Sequence, residues 1–257
     1  MTRQCAVIDA GQWTYTEGLQ LQVWAWEKVA SGEWDGILIL QQHFPVITLG
    51  RKYNAEDLLW SSDQYISQGV DLVHSNRGGK ATCHNLGQLV GYPVLNLSYW
   101  KQDSHWYLRL IEQIIINTID YFGIQAKRKP GYTGVWVKDR KIAAIGVAIR
   151  RWITSHGFAL NVENNLSLFE TIVPCGIHEF GVTNLLNEGI TRIAMQEVRE
   201  VIISQFEQAL QCSFKVLARF DNEVRGGSDA QTKTGVAPMV KTTGDSRRIN
   251  SCKLIDA

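Results

Sequence analysis

The chain is poor in conspicuous chemistry. It has no C-x-x-C pair, no H-E-x-x-H and no G-x-x-x-x-G-K-[ST] loop, and no G-x-G-x-x-G opens a helix. The first two absences exclude familiar zinc spacings, and the last two exclude familiar phosphate cradles. Charge of one sign is lacking as well. With 26 basic and 25 acidic residues the net charge is +1, so no field advertises a nucleic-acid or membrane partner. No apolar run approaches the roughly 18 residues of a membrane span. The opening MTRQCAVIDAGQW holds a short strand-like run rather than a signal peptide. The five cysteines, Cys5, Cys83, Cys175, Cys212 and Cys252, are an odd number without paired spacing. That argues for reduced thiols and a cytoplasmic protein, not a disulfide framework.

What is present is a chain of 257 residues, 45% hydrophobic, enough for one large domain or two small ones. CAVIDA reads as a strand. TYTEGLQLQVWAWEKVASG reads as a helix with Tyr15, Leu19, Val23, Trp26 and Val29 on one face. GILILQQ and PVITLGR predict two strands, neighbours in one sheet. SSDQYISQG predicts a short helix capped by Ser61 or Ser62, leading to the strand VDLVHS. QLVGYPVLNL is a further strand, and HWYLRLIEQIIINTIDYFG a helix of about five turns. GVWVKDRKIAAIGVAIR reads as a hairpin turning at Lys138-Asp139-Arg140, followed by the strand ITSHGFALNV. TRIAMQEVREVIISQFEQAL and SFKVLARF supply a last helix and strand. Residues 226–257 are polar and glycine-rich and read as a flexible tail beyond a domain spanning residues 1–225. Hairpins with few long helices predict α+β architecture.

Three glycine-bearing segments and one cysteine carry the candidate chemistry. In RGGKATCHNLGQLVGY two adjacent glycines permit close backbone approach, with Arg77 and Lys80 alongside and His84 as a possible proton handler or donor. Composition alone leaves a solvated basic edge equally open. In RKIAAIGVAIR, Lys141 enters an otherwise apolar strand, where a lysine is more often a solvated flank. In SHGFALNV, Gly157 and Ala159 leave room along a strand. In IVPCGI, Cys175 is set between proline and glycine on a shaped turn; taken alone, such a cysteine is more often a small buried hydrophobe.

Together these segments resemble the octanoyltransferases of protein lipoylation. RGGKATCHNLGQ is similar to that family's R-G-G-x-x-T-x-H-x-x-G-Q segment, and KIAAIGV, GFALNV and PCGI follow in the family's order across residues 36 to 211. Asn85-Leu86 stand where the family has glycine and proline. The resemblance implies the biotin and lipoate protein ligase fold, with a largely antiparallel mixed sheet flanked by helices in a single α+β (α/β) domain. It implies Cys175 as acyl-thioester nucleophile and Lys141 as the group that lowers the thiol's pKa. It implies an acyl pocket walled by Arg77, Gly78, Gly79, Lys80, Ala81, Thr82, Cys83 and His84, by Ala144, Ile145 and Gly146, and by Gly157, Phe158 and Ala159. The glycines at 78, 79 and 157 are expected to leave room for the chain.

The implied donor is octanoyl on the phosphopantetheine of acyl carrier protein, with no resident cofactor. The implied acceptors are lipoyl domains of 2-oxoacid dehydrogenase complexes and the glycine cleavage H protein. Arg51 and Lys52 offer a basic surface to an acidic carrier. His178 is a rival base. An ATP-dependent lipoate ligase, a lipoyl-domain amidotransferase and a non-catalytic carrier-binding module are the competing readings.

Overall fold

A computed structural model of the chain describes residues 3–173 and 180–217. Cys175, His178 and the 226–257 tail lie outside the described residues. Among the described residues, eleven strands and four α-helices follow in sequence. The larger sheet uses β1 (Cys5–Trp13), β2 (Gly36–His43), β6 (Gln88–Leu95), β7 (Lys127–Lys129), β8 (Tyr132–Val137), β9 (Arg140–Arg150), β10 (Ile153–Asn161) and β11 (Phe214–Val216). Their order is β11-β1-β2-β6-β10-β9-β8-β7. Only β1 pairs in parallel, with β11 and β2; the other five pairings are antiparallel. The smaller sheet has the order β4-β3-β5, from β3 (Val46–Leu49), β4 (Asp71–His74) and β5 (Ala81–His84). This is the α+β class that the sequence pattern predicts, with the mixed, largely antiparallel sheet that the family resemblance implies.

The helices divide between the two faces of the larger sheet. α3 (Ser104–Tyr121) and α4 (Met195–Leu210) cover one face. There Ile111, Ile115, Val198, Ile202 and Phe206 pack with Leu38, Leu89, Leu160 and Phe158. α1 (Tyr15–Ala30) covers part of the other, over Ile37, Ile39, Val90 and Val94. Its start is fixed by a reciprocal cap: Thr14 N–H donates to Glu17 at 2.8 Å, and Glu17 N–H donates to the Thr14 hydroxyl at 3.2 Å. The small sheet keeps its own core of Ile47, Leu49, Tyr65, Cys83 and Phe169. α2 (Ser62–Ser67), capped by Ser61, leads into β4.

Two expectations are corrected. β2 and β3 are not neighbours, because both edges of β2 are taken by β1 and β6, so β3 starts another sheet. The inner face of α1 is Tyr15, Gly18, Leu21, Gln22, Ala25 and Val29, while Val23 is 59% exposed. The helix lies closest to the sheet at Gly18, where a Cβ would sit 2.8 Å from the His43 ring. Strands β5 and β7 have no counterpart among the predicted elements; each has at most four residues, too short for a periodic signal.

Candidate functional site

The glycine-rich segment 77–79 crosses the larger sheet beside α1. The Gly78 N–H donates to Val147 O of β9 at 3.0 Å, tying the crossing down. Under it lies a narrow slot of about 40 Å³, closed by Tyr15, Val90, Tyr92 and His156 as well as by predicted residues. Arg77, Gly78, Gly79, Thr82, His84, Ala144, Ile145, Gly146, Gly157, Phe158 and Ala159 all line it.

Strand alternation places the remainder of 77–84 elsewhere. In β5, Thr82 and His84 turn to the slot, so Ala81 and Cys83 turn away into the small sheet's core. Burial pushes the Cys83 thiol's pKa up, which suits a packing residue. Lys80 is directed outward to Asp57, at 3.0 Å. Arg77 donates to the Thr48 hydroxyl from Nε at 3.1 Å and Nη2 at 2.9 Å, and from Nη1 to Gly78 O at 3.1 Å. Its guanidinium thus clamps the loop to β3. Asn85 does not need left-handed backbone; the positive φ of that turn, +87°, falls on Gly87. Asn85 holds the turn with its side chain, donating to Asn165 O at 2.7 Å.

Gly157 and Gly146 do something other than make room. A Cβ on Gly157 would run into the Gly91 carbonyl and lie 2.6 Å from Pro93 Cδ, and one on Gly146 would lie 2.8 Å from Gly78 O. They allow backbone to approach backbone, β10 to β6 and the loop to β9.

Lys141 reaches the slot's side of the sheet through an irregularity. In a regular strand Lys141, Ala143 and Ile145 would share a face, and Ala143 belongs to the core under α3. The register of β8 and β9 shifts: Val135 pairs with Ala143, but Trp136 pairs with Lys141. Neighbours Val135 and Trp136 face opposite ways, so the extra residue Ile142 turns Lys141 away from that core. Lys141 is 7% exposed, and its Nζ lies 4.9 Å from the Trp136 ring centroid, a cation–π contact. Its N–H donates to Gly181 O at 2.9 Å and its carbonyl accepts from Thr183 N–H at 3.0 Å. The Phe180 ring, just before Gly181, sits 5.6 Å from that of Trp136.

Three neutral histidines stand around the other end. Burial, then the neighbouring His43, pushes His84 down to about 3. Burial pushes His43 to about 4, and burial with Arg77 and Arg51 pushes His156 to about 4. Gln88 fixes the His84 tautomer. Its Nε2 donates to Asn161 Oδ1 at 2.8 Å, so its Oε1 accepts from His84 Nδ1–H at 2.7 Å. Tyr92 OH donates to His43 Nε2 at 2.8 Å. Sequence reading missed Tyr15, Val90, Tyr92 and His156. Of these, only His156 had a local hint, standing directly before Gly157.

A mixed sheet met by a glycine loop, with a small slot along two strands and a buried lysine on the same side of the sheet, is an arrangement that can take a small molecule. The sequence model of the lipoyl protein ligase A/B catalytic domain matches residues 14–207, and the chain belongs to that family. It is similar to an octanoyltransferase of Clostridium kluyveri, 53% identical over 172 residues, covering 67% of this chain and 74% of the relative. An octanoyltransferase of Caldanaerobacter subterraneus subsp. tengcongensis is 43% identical over 213 residues, 83% of this chain and 93% of the relative. Among solved structures, lipoate-protein ligase A bound with ATP superposes with a TM-score of 0.67 at 18% identity, covering 88% of this chain and 94% of that one. A putative lipoate protein ligase from T. acidophilum with bound lipoic acid gives 0.67 at 19%, covering 90% and 96%. These structures establish the fold.

Proposed function

We propose that the protein is an acyltransferase that moves an octanoyl group from the thioester of acyl carrier protein to a lysine amine of a lipoyl domain. Cys175 is the nucleophile of this reading. Its thiolate attacks the donor carbonyl, the donor C–S bond breaks, and the carrier thiolate leaves with the proton of the Lys141 ammonium. The acceptor amine then forms the C–N bond, the Cys175 C–S bond breaks, and the amine's proton passes to Lys141. An ammonium at Lys141 favours the thiolate in the first half; as a base it serves the second.

One observation carries the reading: relatives 53% and 43% identical bear the name octanoyltransferase. The slot supports it, because eleven of the fourteen wall residues implied by the resemblance border it. An amine of reference pKa near 10.4 is neutral only about once in 10³ molecules at pH 7, a deficit of about 4 kcal/mol that a local base offsets. Thioester to amide runs downhill, so the reading needs neither ATP nor a resident cofactor. Lipoyl domains of 2-oxoacid dehydrogenases and the glycine cleavage H protein are the acceptors in this reading, and the cytoplasm is its compartment. No described helix is long and apolar enough to cross a membrane.

The test is to mix the protein with octanoyl carrier and weigh it. A hydroxylamine-labile octanoyl adduct is expected, absent in Cys175→Ser. Lys141→Met should keep its fold and lose amide formation by about 10³-fold. An adduct in Cys175→Ser, or turnover that demands ATP, would refute the assignment.

A further inference from the structure

Lys141 owes its direction to a segment distant in sequence. The irregularity in β9 turns its side chain from the α3 core, and a one-residue slip would return the lysine to the face of Ala143. What opposes that slip is a short parallel bridge between Lys141 and Val182. The bridge takes both backbone groups of Lys141, its N–H through Gly181 O at 2.9 Å and its carbonyl through Thr183 N–H at 3.0 Å. The lysine is therefore placed only as firmly as residues 181–183 are held.

Those residues belong to no helix or regular strand. The side chain that holds them is Asn161, the last residue of β10, 4% exposed and not part of the slot wall. Its Nδ2 donates to Thr183 O at 3.0 Å. Its Oδ1 accepts from Gln88 Nε2 at 2.8 Å and from Asn164 Nδ2 at 3.2 Å. A flipped amide would set donor against donors and acceptor against a carbonyl, so only this orientation matches its partners. Gln88 in turn fixes His84 of the slot wall. One buried amide thus ties the slot wall to the segment that sets Lys141. A second tether, Thr183 Oγ1 to Glu188 at 2.6 Å and Glu188 to Arg140 at 2.8 Å, ends on an arginine side chain 42% exposed and is the more screened of the two.

We propose that Asn161 is a positioning residue for the transfer reaction: through Thr183 it fixes the register that presents Lys141 to the reacting thiol. This rests on the octanoyl-transfer reading above, in which the Lys141 ammonium favours the Cys175 thiolate. The test follows alkylation of Cys175 by iodoacetamide against pH in the full chain, read by mass on the peptide that carries it. Asn161→Ala adds no charge and keeps the backbone bond from Leu185 N–H to Asn161 O at 3.3 Å, so it should fold. A nearby ammonium lowers a thiol's pKa by roughly 1–3, so alkylation of this variant at pH 7 should fall about tenfold and its midpoint move to higher pH. Asn164→Ala loosens the same cluster without touching Thr183 and should keep the wild-type profile. A folded Asn161→Ala with the wild-type profile overturns the proposal, as does an equal change in Asn164→Ala.

Should Asn161→Ala fail to fold, hydrogen exchange in the wild-type protein decides. The Asn161 side-chain amide and the Lys141 and Thr183 backbone amides are expected to exchange at least about 100-fold more slowly than an exposed turn. Exchange at the rate of such a turn overturns the proposal. A Cys175 profile left unchanged by Lys141→Met would strike the underlying reading instead.

Discussion

His43, His84 and His156 spend their ionisable chemistry on staying neutral, and this makes the protein acid-sensitive. In the unfolded chain each ring takes up a proton near pH 6.5. In the folded protein His43 and His156 wait until about 4 and His84 until about 3. Between those values the unfolded state binds more protons, so stability is intact above pH 6.5 and falls as the pH is lowered. At pH 5 the loss is roughly 2 kcal/mol per ring, about 1.4 for each of 1.5 pH units. Thermal melts from pH 7 to 5 should show a steady decline in Tm beginning near 6.5; a flat profile would mean the rings are not buried and neutral. The same scale shows what residue types reveal and conceal. His84 stood out because a glycine-rich segment surrounded it. His43 and Tyr92 are indistinguishable in sequence from ordinary strand residues; only the fold sets Tyr92 in the slot wall, with His43 hydrogen-bonded to it.

Elements are joined by contacts that resist substitution unequally. The buried Glu112 of α3 accepts from Arg109 Nη1 at 2.6 Å, Arg128 Nε at 2.9 Å and Gly134 N–H at 3.2 Å, pinning the helix to β7 and β8. Its side chain is 1% exposed, but those of Arg109 and Arg128 are 61% and 35% exposed. Removing the carboxylate leaves cations that reach water; removing both arginines leaves a buried anion with no cation. Arg109→Met with Arg128→Met should therefore cost about 3–5 kcal/mol, more than Glu112→Leu, in urea unfolding. The reverse order would show that the carboxylate is hydrated.

Gly157→Val is expected to abolish soluble expression, not to shorten the preferred acyl chain, because its side chain would strike the Gly91 backbone. A soluble variant with a native melt would contradict that packing. Helices and hairpin positions were legible because periodicity and turn residues are local. The partner of β3 was not, since the competition for the edges of β2 is settled by strands β1 and β6, far apart in sequence.

At the scale of the whole molecule, the slot lies where α1 stops covering the larger sheet and the small sheet with its glycine loop begins. An octanoyl-pantetheine thioester bound to Cys175→Ser at 100 times its Kd should add about 2.7 kcal/mol of stability. For a chain of this size that raises Tm by roughly 5–10 °C, and an acetyl thioester at the same concentration should do far less. Equal shifts from both would show that the chain does not enter the slot.

The sequence by itself determined the α+β class, the order of most elements and the segments that meet at the slot, because these depend on local periodicity and on motifs of contiguous residues. Tertiary structure alone decided that Lys141 turns from the α3 core through one extra residue in β9. It alone decided that Gly146 and Gly157 serve close backbone approach, and that His156 joins the slot wall. Those outcomes depend on register and on which strand lies across from which, and pairings between distant residues leave no mark on the neighbours of either one.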